Sequence, residues 1–139
     1  MSDTTAFLAE RGIKPAIIGG DNSISYPVVR GICQGMPGKK IALVHFDAHR
    51  GAMSSGVPYR LLLERHGDQV HGRHMTQIGI SDFCNNPGHH ADARDHGIEV
   101  ISTRGQKASW SDTMVPLADI SRSRSSACIH QSWLTGSLC

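Results

Sequence analysis

The sequence is short of several features that would narrow its function at once. Only 5% of its 139 residues are aromatic, so any core must be aliphatic. No apolar run approaches the length of a bilayer span, and the first residues lack a basic segment followed by an apolar stretch. Fourteen Lys and Arg against twelve Asp and Glu leave a net charge of +2, which gives no indication of a nucleic-acid or membrane-surface partner.

Closely spaced cysteines are also missing. The four cysteines lie far apart and form no CxxC, which argues against a zinc ribbon or a dense disulfide scaffold. A reducing cytoplasm is therefore the expected location. The length suits one domain of ordinary size rather than two.

Short apolar runs bounded by turn residues predict strands that are covered on both faces. These runs are residues 16–18, 41–46, 76–80 and 99–102. Helical signals lie between them, with prolines just inside the expected starts at Pro27, Pro58 and Pro87, and a further short helix is expected over residues 5–11. Alternating strands and helices predict right-handed crossovers and a parallel sheet, which is an α/β fold.

The last 36 residues have a different composition. They contain eight Ser, both Trp and an Arg/Ser run over residues 121–126, and we find no helical or strand period in them. Such a run could bind RNA, but it is more often a solvated loop. We therefore divide the chain into an α/β domain over residues 1–103 and a Ser/Arg-rich, poorly ordered tail over residues 104–139.

Polar residues follow two of the predicted strands. Gly19-Gly20-Asp21-Asn22-Ser23 follows the first, and Asp47-Ala48-His49 follows the second. The carboxylate of Asp47 and the imidazole of His49 project to the same side of an extended strand end, and both are ligands for Mn²⁺, Zn²⁺ or Fe²⁺. A turn with Asx hydrogen bonds and a helix cap beside a surface histidine are the alternatives, and the spacing leaves them open.

In their order along the chain, these segments resemble the motifs of the ureohydrolases, the family of arginase, agmatinase and formiminoglutamase. The matching segments are residues 19–26, 45–49, 55–64, 72–83 and 96–100, within a region of about residues 14 to 103. Several motifs in one order arise by chance far less often than any single motif. The resemblance implies a three-layer αβα fold with a parallel sheet of the arginase type, incomplete in this chain, and a binuclear Mn²⁺ centre at the carboxyl ends of its strands.

Asn22 points to one branch of that family. Arginases and agmatinases have a metal-binding His at this place, whereas the GGDNS form with SIS after it resembles formiminoglutamase. The resemblance implies hydrolysis of an amidine C–N bond by a metal-bound hydroxide, so that N-formimino-L-glutamate and water give L-glutamate and formamide. Agmatinase or guanidino-acid hydrolase chemistry is the alternative. The expected partner is thus a small amidine or guanidine, in the pathway of histidine degradation for the first of these activities.

The resemblance also assigns roles to single residues. Asp47 and His49 match metal ligands of the family's DAHxD motif, and Asn22 would be a weak neutral ligand. Ser55 stands where the family has Asn or His next to the substrate, and Arg60 matches the family's Arg at its substrate-binding segment. Asp21 would orient the first ligand or the backbone. The second Asp of the motif falls on Gly51, so no complete catalytic set is carried over.

The family's later Asp-x-Asp ligand pair has no counterpart in this sequence. Two manganese ions need more carboxylates and imidazoles than Asp47 and His49 supply, so we expect the chain to be impaired or inactive by itself. A non-catalytic, truncated α/β module is the alternative from another class, and a shift of reading frame near residue 104 would produce the change in composition. Missing outer strands would leave sheet edges unpaired, which favours association and leaves a homo-oligomer possible.

Overall fold

The structure, a computed structural model, describes residues 1–18, 22–48, 58–81, 83, 85 and 87–102, together with the backbone of residues 127–132. The helices in this part of the chain are α1 (Ser2–Glu10), α2 (Ser25–Gly35), α3 (Pro58–Arg65) and α4 (Pro87–Asp95), and a 3₁₀ turn over Asn22–Ile24 precedes α2. The strands are β1 (Ile41–Phe46), β2 (Val70–Ile80), β3 (Glu99–Ser102) and β4 (Ala127–Ser132). No described helix is both long enough and apolar enough to cross a bilayer.

The described strands form one sheet in the order β3-β2-β1-β4. β1 runs parallel to β4, with Ile41 opposite Ala127 and Phe46 opposite Ser132. β2 runs parallel to β3 from Thr76 opposite Glu99, with an irregularity between Ile78 and Ile80. Gly79 lies within this irregularity at a φ of 88°, a conformation that favours glycine. Parallel pairs joined through helices confirm the predicted α/β class.

The chain divides into two compact units. The first comprises Met1–Lys40 and Gly51–Val70, and the second comprises Ile41–Arg50 and His71–Cys139. In the second unit, residues Ile41 to His45 of β1 are all buried, which is the pattern of a strand covered on both faces. Asp47 thus directly follows a strand in which five consecutive residues are buried.

In the first unit, α1 packs closely on α2 at two glycines one helical turn apart. A Cβ on Gly31 would collide with the Ser2 carbonyl oxygen, and one on Gly35 would collide with the Ala6 carbonyl oxygen. The hydroxyl of Ser2 also donates a hydrogen bond to the Pro27 carbonyl oxygen, with Oγ and O 3.0 Å apart. The absence of side chains at the two glycines is therefore what allows the helix backbones to approach.

A buried amide closes the end of α2. The Gln69 side chain, 7% exposed, places Nε2 2.8 Å from the carbonyl oxygen of Met36 and 3.2 Å from those of Cys33 and Lys39. Carbonyls at a helix C-terminus have no partner within the helix, so they need donors from elsewhere. Gln69 supplies them from a position 30 to 36 residues further along the chain.

Most of the predicted elements are confirmed, and one is wrong. The strands predicted over residues 41–46, 76–80 and 99–102 are present, as are the four predicted helices, although α1 begins at Ser2 and β2 at Val70. The strand predicted over residues 16–18 is absent, and Ile17 and Ile18 are 39% and 98% exposed. An apolar triplet becomes a strand only where a neighbouring strand pairs with it, and the described sheet contains no partner for this segment.

The structure also contains a strand that we did not identify in the sequence. β4 lies within the region expected to be a poorly ordered tail, and it pairs with β1 over six residues. The boundary between residues 103 and 104 stays a prediction, because residues 103–126 and 133–139 lie outside the described part of the chain.

Candidate metal and substrate site

Asp47 follows the carboxyl end of β1, where the sequence predicts a metal ligand. Its backbone N–H donates a hydrogen bond to the Ile78 carbonyl oxygen at 3.1 Å. Its carboxylate lies 3.5 Å from Nε2 of His45, and the two side chains are 11% and 2% exposed. That distance is long for a strong hydrogen bond, but it suits an ion pair whenever the imidazole is protonated. Asp47 is thus an inward-held carboxylate with a limited route to solvent.

Ala48, the residue that follows Asp47 in the motif, is held through its carbonyl group. Its oxygen accepts hydrogen bonds from the backbone N–H of Ser81 and from Nδ2 of Asn85, each at 3.0 Å. The same Nδ2 donates to the Ser81 carbonyl oxygen at 2.6 Å. The end of β1 is thereby joined to the chain that follows β2.

Sequence reasoning did not select Asn85. Asn side chains in loops commonly form hydrogen bonds to the backbone, and this tendency is the only signal in the sequence that could have indicated a role for Asn85. The partner at Ala48 is 37 positions away, and no local pattern reveals it. Of the other predicted residues, His49, Asp21 and Ser55 lie outside the described residues.

Asn22 lies in the 3₁₀ turn before α2, in the first unit. Its amide oxygen accepts a hydrogen bond from the hydroxyl of Ser25 at 2.9 Å. The amide oxygen is also the atom that would coordinate a hard cation, so an ion at this position would share it with the Ser25 hydroxyl. The expected role of Asn22 as a weak neutral ligand stays a prediction.

Arg60 lies on α3, also in the first unit. Its Nε donates a hydrogen bond to Oε1 of Glu64 at 2.7 Å, one helical turn away, and the two side chains are about half exposed. A pair of this kind on a helix surface contributes about 0.3–0.5 kcal/mol, so a substrate carboxylate could compete with it. The predicted role of Arg60 in substrate binding stays a prediction.

Among the described residues, Asp47 is the candidate metal ligand with an ionisable oxygen. Its carboxylate is an oxygen ligand of the kind that Mn²⁺ accepts, and the backbone N–H of the same residue is bonded to the Ile78 carbonyl oxygen. Among residues 1–18, 22–48, 58–81 and 87–102, with positions 83 and 85, no group of three or more His, Cys, Asp or Glu is placed to hold a metal ion. The binuclear centre implied by the resemblance stays a prediction, since His49 lies outside these residues.

The buried thiol of Cys33, on α2, is unsuited to metal or nucleophilic chemistry. Burial, together with the negative charge of Asp68, raises its pKa from 9.0 to about 11. The thiolate is the form that binds metals and attacks electrophiles, and this environment suppresses it near neutral pH. Cys33 is a core residue of the first unit.

Comparison with known proteins places these observations in one family. A model of the arginase family matches residues 1–130, nearly the whole chain. The chain belongs to the arginase family. The match continues past Thr103 and includes most of β4. The predicted resemblance to the ureohydrolases is thereby confirmed.

Within this family, the chain is similar to curated formimidoylglutamases; formimidoylglutamase is another name for formiminoglutamase. It is 36% identical over 93 residues to that of Bacillus subtilis strain 168, which covers 62% of this chain and 28% of the relative. It is 35% identical over 106 residues to that of Halalkalibacterium halodurans, which covers 71% of this chain and 32% of the relative. The arginase-family chain thus spans about a third of the length of these relatives.

Solved structures confirm the arginase type of α/β fold. The formimidoylglutamase of Bacillus subtilis matches 93% of this chain and 42% of its own, with a TM-score of 0.81 and 25% identity. Trypanosoma cruzi formiminoglutamase with Mn²⁺ matches 86% of this chain and 41% of its own, with a TM-score of 0.73 and 22% identity. The arginase of Helicobacter pylori, 10% identical, matches with a TM-score of 0.79 over 93% of this chain and half of its own. The last two similarities show the fold alone.

Proposed function

We propose that this chain carries part of the active site of a manganese-dependent hydrolase that cleaves the amidine C–N bond of N-formimino-L-glutamate. The products would be L-glutamate and formamide. The observation that carries the proposal is the place of Asp47, a nearly buried carboxylate directly after the central strand β1, in a chain similar to formimidoylglutamases. In parallel α/β sheets, ligands bind at the carboxyl ends of the strands.

Asp47 and His49 would hold the ion, and the amide oxygen of Asn22 would add a neutral ligand. A bound manganese ion would supply hydroxide near neutral pH and stabilise the charge that develops on the amidine. Asp47 contributes negative charge at a point of restricted solvent access, where electrostatic attraction to a cation is less screened than in water. The Mn²⁺ in the Trypanosoma cruzi enzyme supports this choice of metal.

Arg60 and Ser55 would bind the substrate. The planar guanidinium of Arg60 suits a carboxylate, of which formiminoglutamate has two, and the exposed pair with Glu64 would exchange for it. Ser55 would donate or accept one hydrogen bond beside it, and Asp21 would orient the ligand-bearing backbone. These assignments come from the family motif.

We further propose that this chain turns over little substrate by itself. One described carboxylate cannot balance the charge of two divalent ions, and the described residues contain no larger ligand group. We expect a small-molecule enzyme of the cytoplasm, with self-association as a further property to be measured.

The test uses the full chain, stripped of metal and titrated with Mn²⁺. Electron paramagnetic resonance should detect no more than one ion per chain, and Asp47→Ala should abolish binding. Asp95→Ala, an exposed carboxylate at the end of α4, is the matched control and should leave binding unchanged. Equal Mn²⁺ affinity in the wild type and in Asp47→Ala would refute the assignment of Asp47.

The substrate class has its own readout. Formamide release from formiminoglutamate and urea release from agmatine and arginine are measured on the same metal-loaded chain. Trace formamide release without urea supports the formiminoglutamase assignment. Urea release in excess of formamide favours an agmatinase or guanidino-acid hydrolase, and a chain with neither product nor bound metal is a non-catalytic module.

A further inference from the structure

We infer that Asn85 is a positioning residue that holds Asp47 and Ala48, at the end of β1, against the end of β2. The inference deepens the proposed function and rests on it for the role of that segment. Asn85 lies two residues before α4, in a part of the chain to which no motif assigns a role. Its side chain bridges Ala48 and Ser81 through hydrogen bonds to their carbonyl oxygens.

The bridge uses the full donor capacity of one nitrogen. A carboxamide nitrogen has two N–H groups, and Nδ2 of Asn85 has two acceptors, the carbonyl oxygens of Ala48 at 3.0 Å and Ser81 at 2.6 Å. The Ala48 oxygen has two lone pairs, and its second donor is the backbone N–H of Ser81. Both carbonyl oxygens need a donor at this position, so the Asn85 amide fits there and a carboxylate, which has no N–H, would not.

The anchored carbonyl is next to both of the proposed ligands. Ala48 lies between Asp47 and His49, and its carbonyl shares a rigid peptide plane with the nitrogen of His49. Fixing that carbonyl limits rotation of the peptide plane that directly follows Ala48, one residue from Asp47. On the other side, the Asp47 N–H is bonded to the Ile78 carbonyl oxygen, so β2 and its continuation restrain the segment twice.

Orientation of this kind matters for metal affinity because ligand atoms must meet an ion within a few tenths of an ångström. Groups that hold a ligand without touching the metal change affinity by about 10- to 100-fold in well-studied sites. Asn85 is neutral, so it can restrain the ligands without competing with them for the cation. Replacing its amide with a carboxylate would put an oxygen in the place of Nδ2, against both carbonyl oxygens.

The test compares Asn85→Ala, Asn85→Asp and Asn85→Gln in the full chain, with Asp95→Ala as the control. The first readout needs no metal. Hydrogen exchange of the Ser81 amide, which is bonded to Ala48, should accelerate about tenfold in Asn85→Ala, whereas the Ile78 amide inside β2 should be unaffected. Ser81 exchange at the wild-type rate overturns the inference whether or not the chain binds metal.

The second readout is Mn²⁺ affinity by electron paramagnetic resonance. We expect a loss of about tenfold or more in Asn85→Ala, a larger loss in Asn85→Asp, and partial rescue in Asn85→Gln, which keeps the amide one methylene further out. Affinity within twofold of the wild type in a folded Asn85→Ala chain overturns the inference. If that variant does not fold, the Gln and Asp variants decide, since equal affinity in these two has the same consequence.

The two proposals fail separately. A wild-type chain that binds no Mn²⁺ contradicts the proposed function, yet faster Ser81 exchange in Asn85→Ala would still support the bridge. A wild-type chain that binds Mn²⁺ through Asp47, with affinity independent of position 85, supports the proposed function and contradicts the inference.

Discussion

Replacing Gln69 with Ala should destabilise the first unit far more than the loss of a typical polar side chain. The substitution removes the only group that the structure shows joining the carbonyls of Cys33, Met36 and Lys39 within its described residues. Because Gln69 is 7% exposed and Cys33 is 3% exposed, water has little access to replace the lost donor. The Cys33 carbonyl would then be buried without this donor, whereas the Met36 oxygen keeps the backbone N–H of Lys39.

The magnitude follows from the number of donors. The amide nitrogen has two N–H groups for three acceptors, so one hydrogen is shared, and two bonds at about 1 kcal/mol each give about 2 kcal/mol. Leaving at least one carbonyl buried without a partner adds about 1–2 kcal/mol. The sum, about 3–4 kcal/mol, is a large part of the 5–15 kcal/mol by which an ordinary domain is stable. Gln69→Glu keeps the shape but replaces the donors with a charge, and it should cost at least as much.

Urea denaturation followed by circular dichroism at 222 nm measures the effect in the full chain. Gln34→Ala is the matched control, since Gln34 is exposed on the same helix, and it should change the free energy of unfolding by less than about 0.5 kcal/mol. If Gln69→Ala and Gln34→Ala have the same effect, the Gln69 bonds do not stabilise the unit, and the reasoning is refuted.

Two further predictions concern the same unit. Gly31→Ala should cost about 2–3 kcal/mol in thermal unfolding, because its Cβ would meet the Ser2 carbonyl and lie 2.7 Å from Thr5 Cβ. The control is Gly88→Ala, at an exposed position of α4, which should gain up to about 1 kcal/mol. A Gly31→Ala variant as stable as the wild type would contradict close packing of α1 on α2. Burial raises the pKa of Cys33 from 9.0 to about 11, so between these values the unfolded thiol ionises while the folded one keeps its proton. This contribution to stability is complete below pH 9 and is lost as the pH rises to about 11, by at most about 3 kcal/mol. Urea titrations at pH 8 and pH 11 should show a smaller fall in Cys33→Ala than in the wild type, and equal falls would contradict the prediction.

The strands show what local sequence can and cannot predict. Ile41 to His45 and the triplet at residues 16–18 are both apolar, yet the first is a fully buried strand and the second is exposed. The difference lies in the presence of a neighbouring strand, which composition does not encode. β4 shows the converse, since Ala127–Ser132 has little strand character of its own and pairs with the edge of β1.

The residues of the candidate site likewise divide into those that local sequence indicates and those that only a long-range contact reveals. Asp47 was predictable, because a motif and a strand end coincide there, and the structure places it as expected after β1. Asn85 was not predictable, because its contribution is a contact with a carbonyl 37 positions away. Motifs identify residues whose own chemistry is needed, whereas residues that act by holding the backbone become visible only when the chain is folded.

The pairing of β1 with β4 has a consequence for synthesis. Residue 41 meets residue 127 in this pair, so the strands join only after the whole segment between them has been made. Closing a loop of that length costs about 4 kcal/mol of chain entropy. At about 5–20 residues per second, the ribosome would release β4 on the order of 4–17 s after β1. During that interval the apolar edge of β1 would be open to strands of other nascent chains, which makes the yield of soluble protein sensitive to translation rate and chaperone supply.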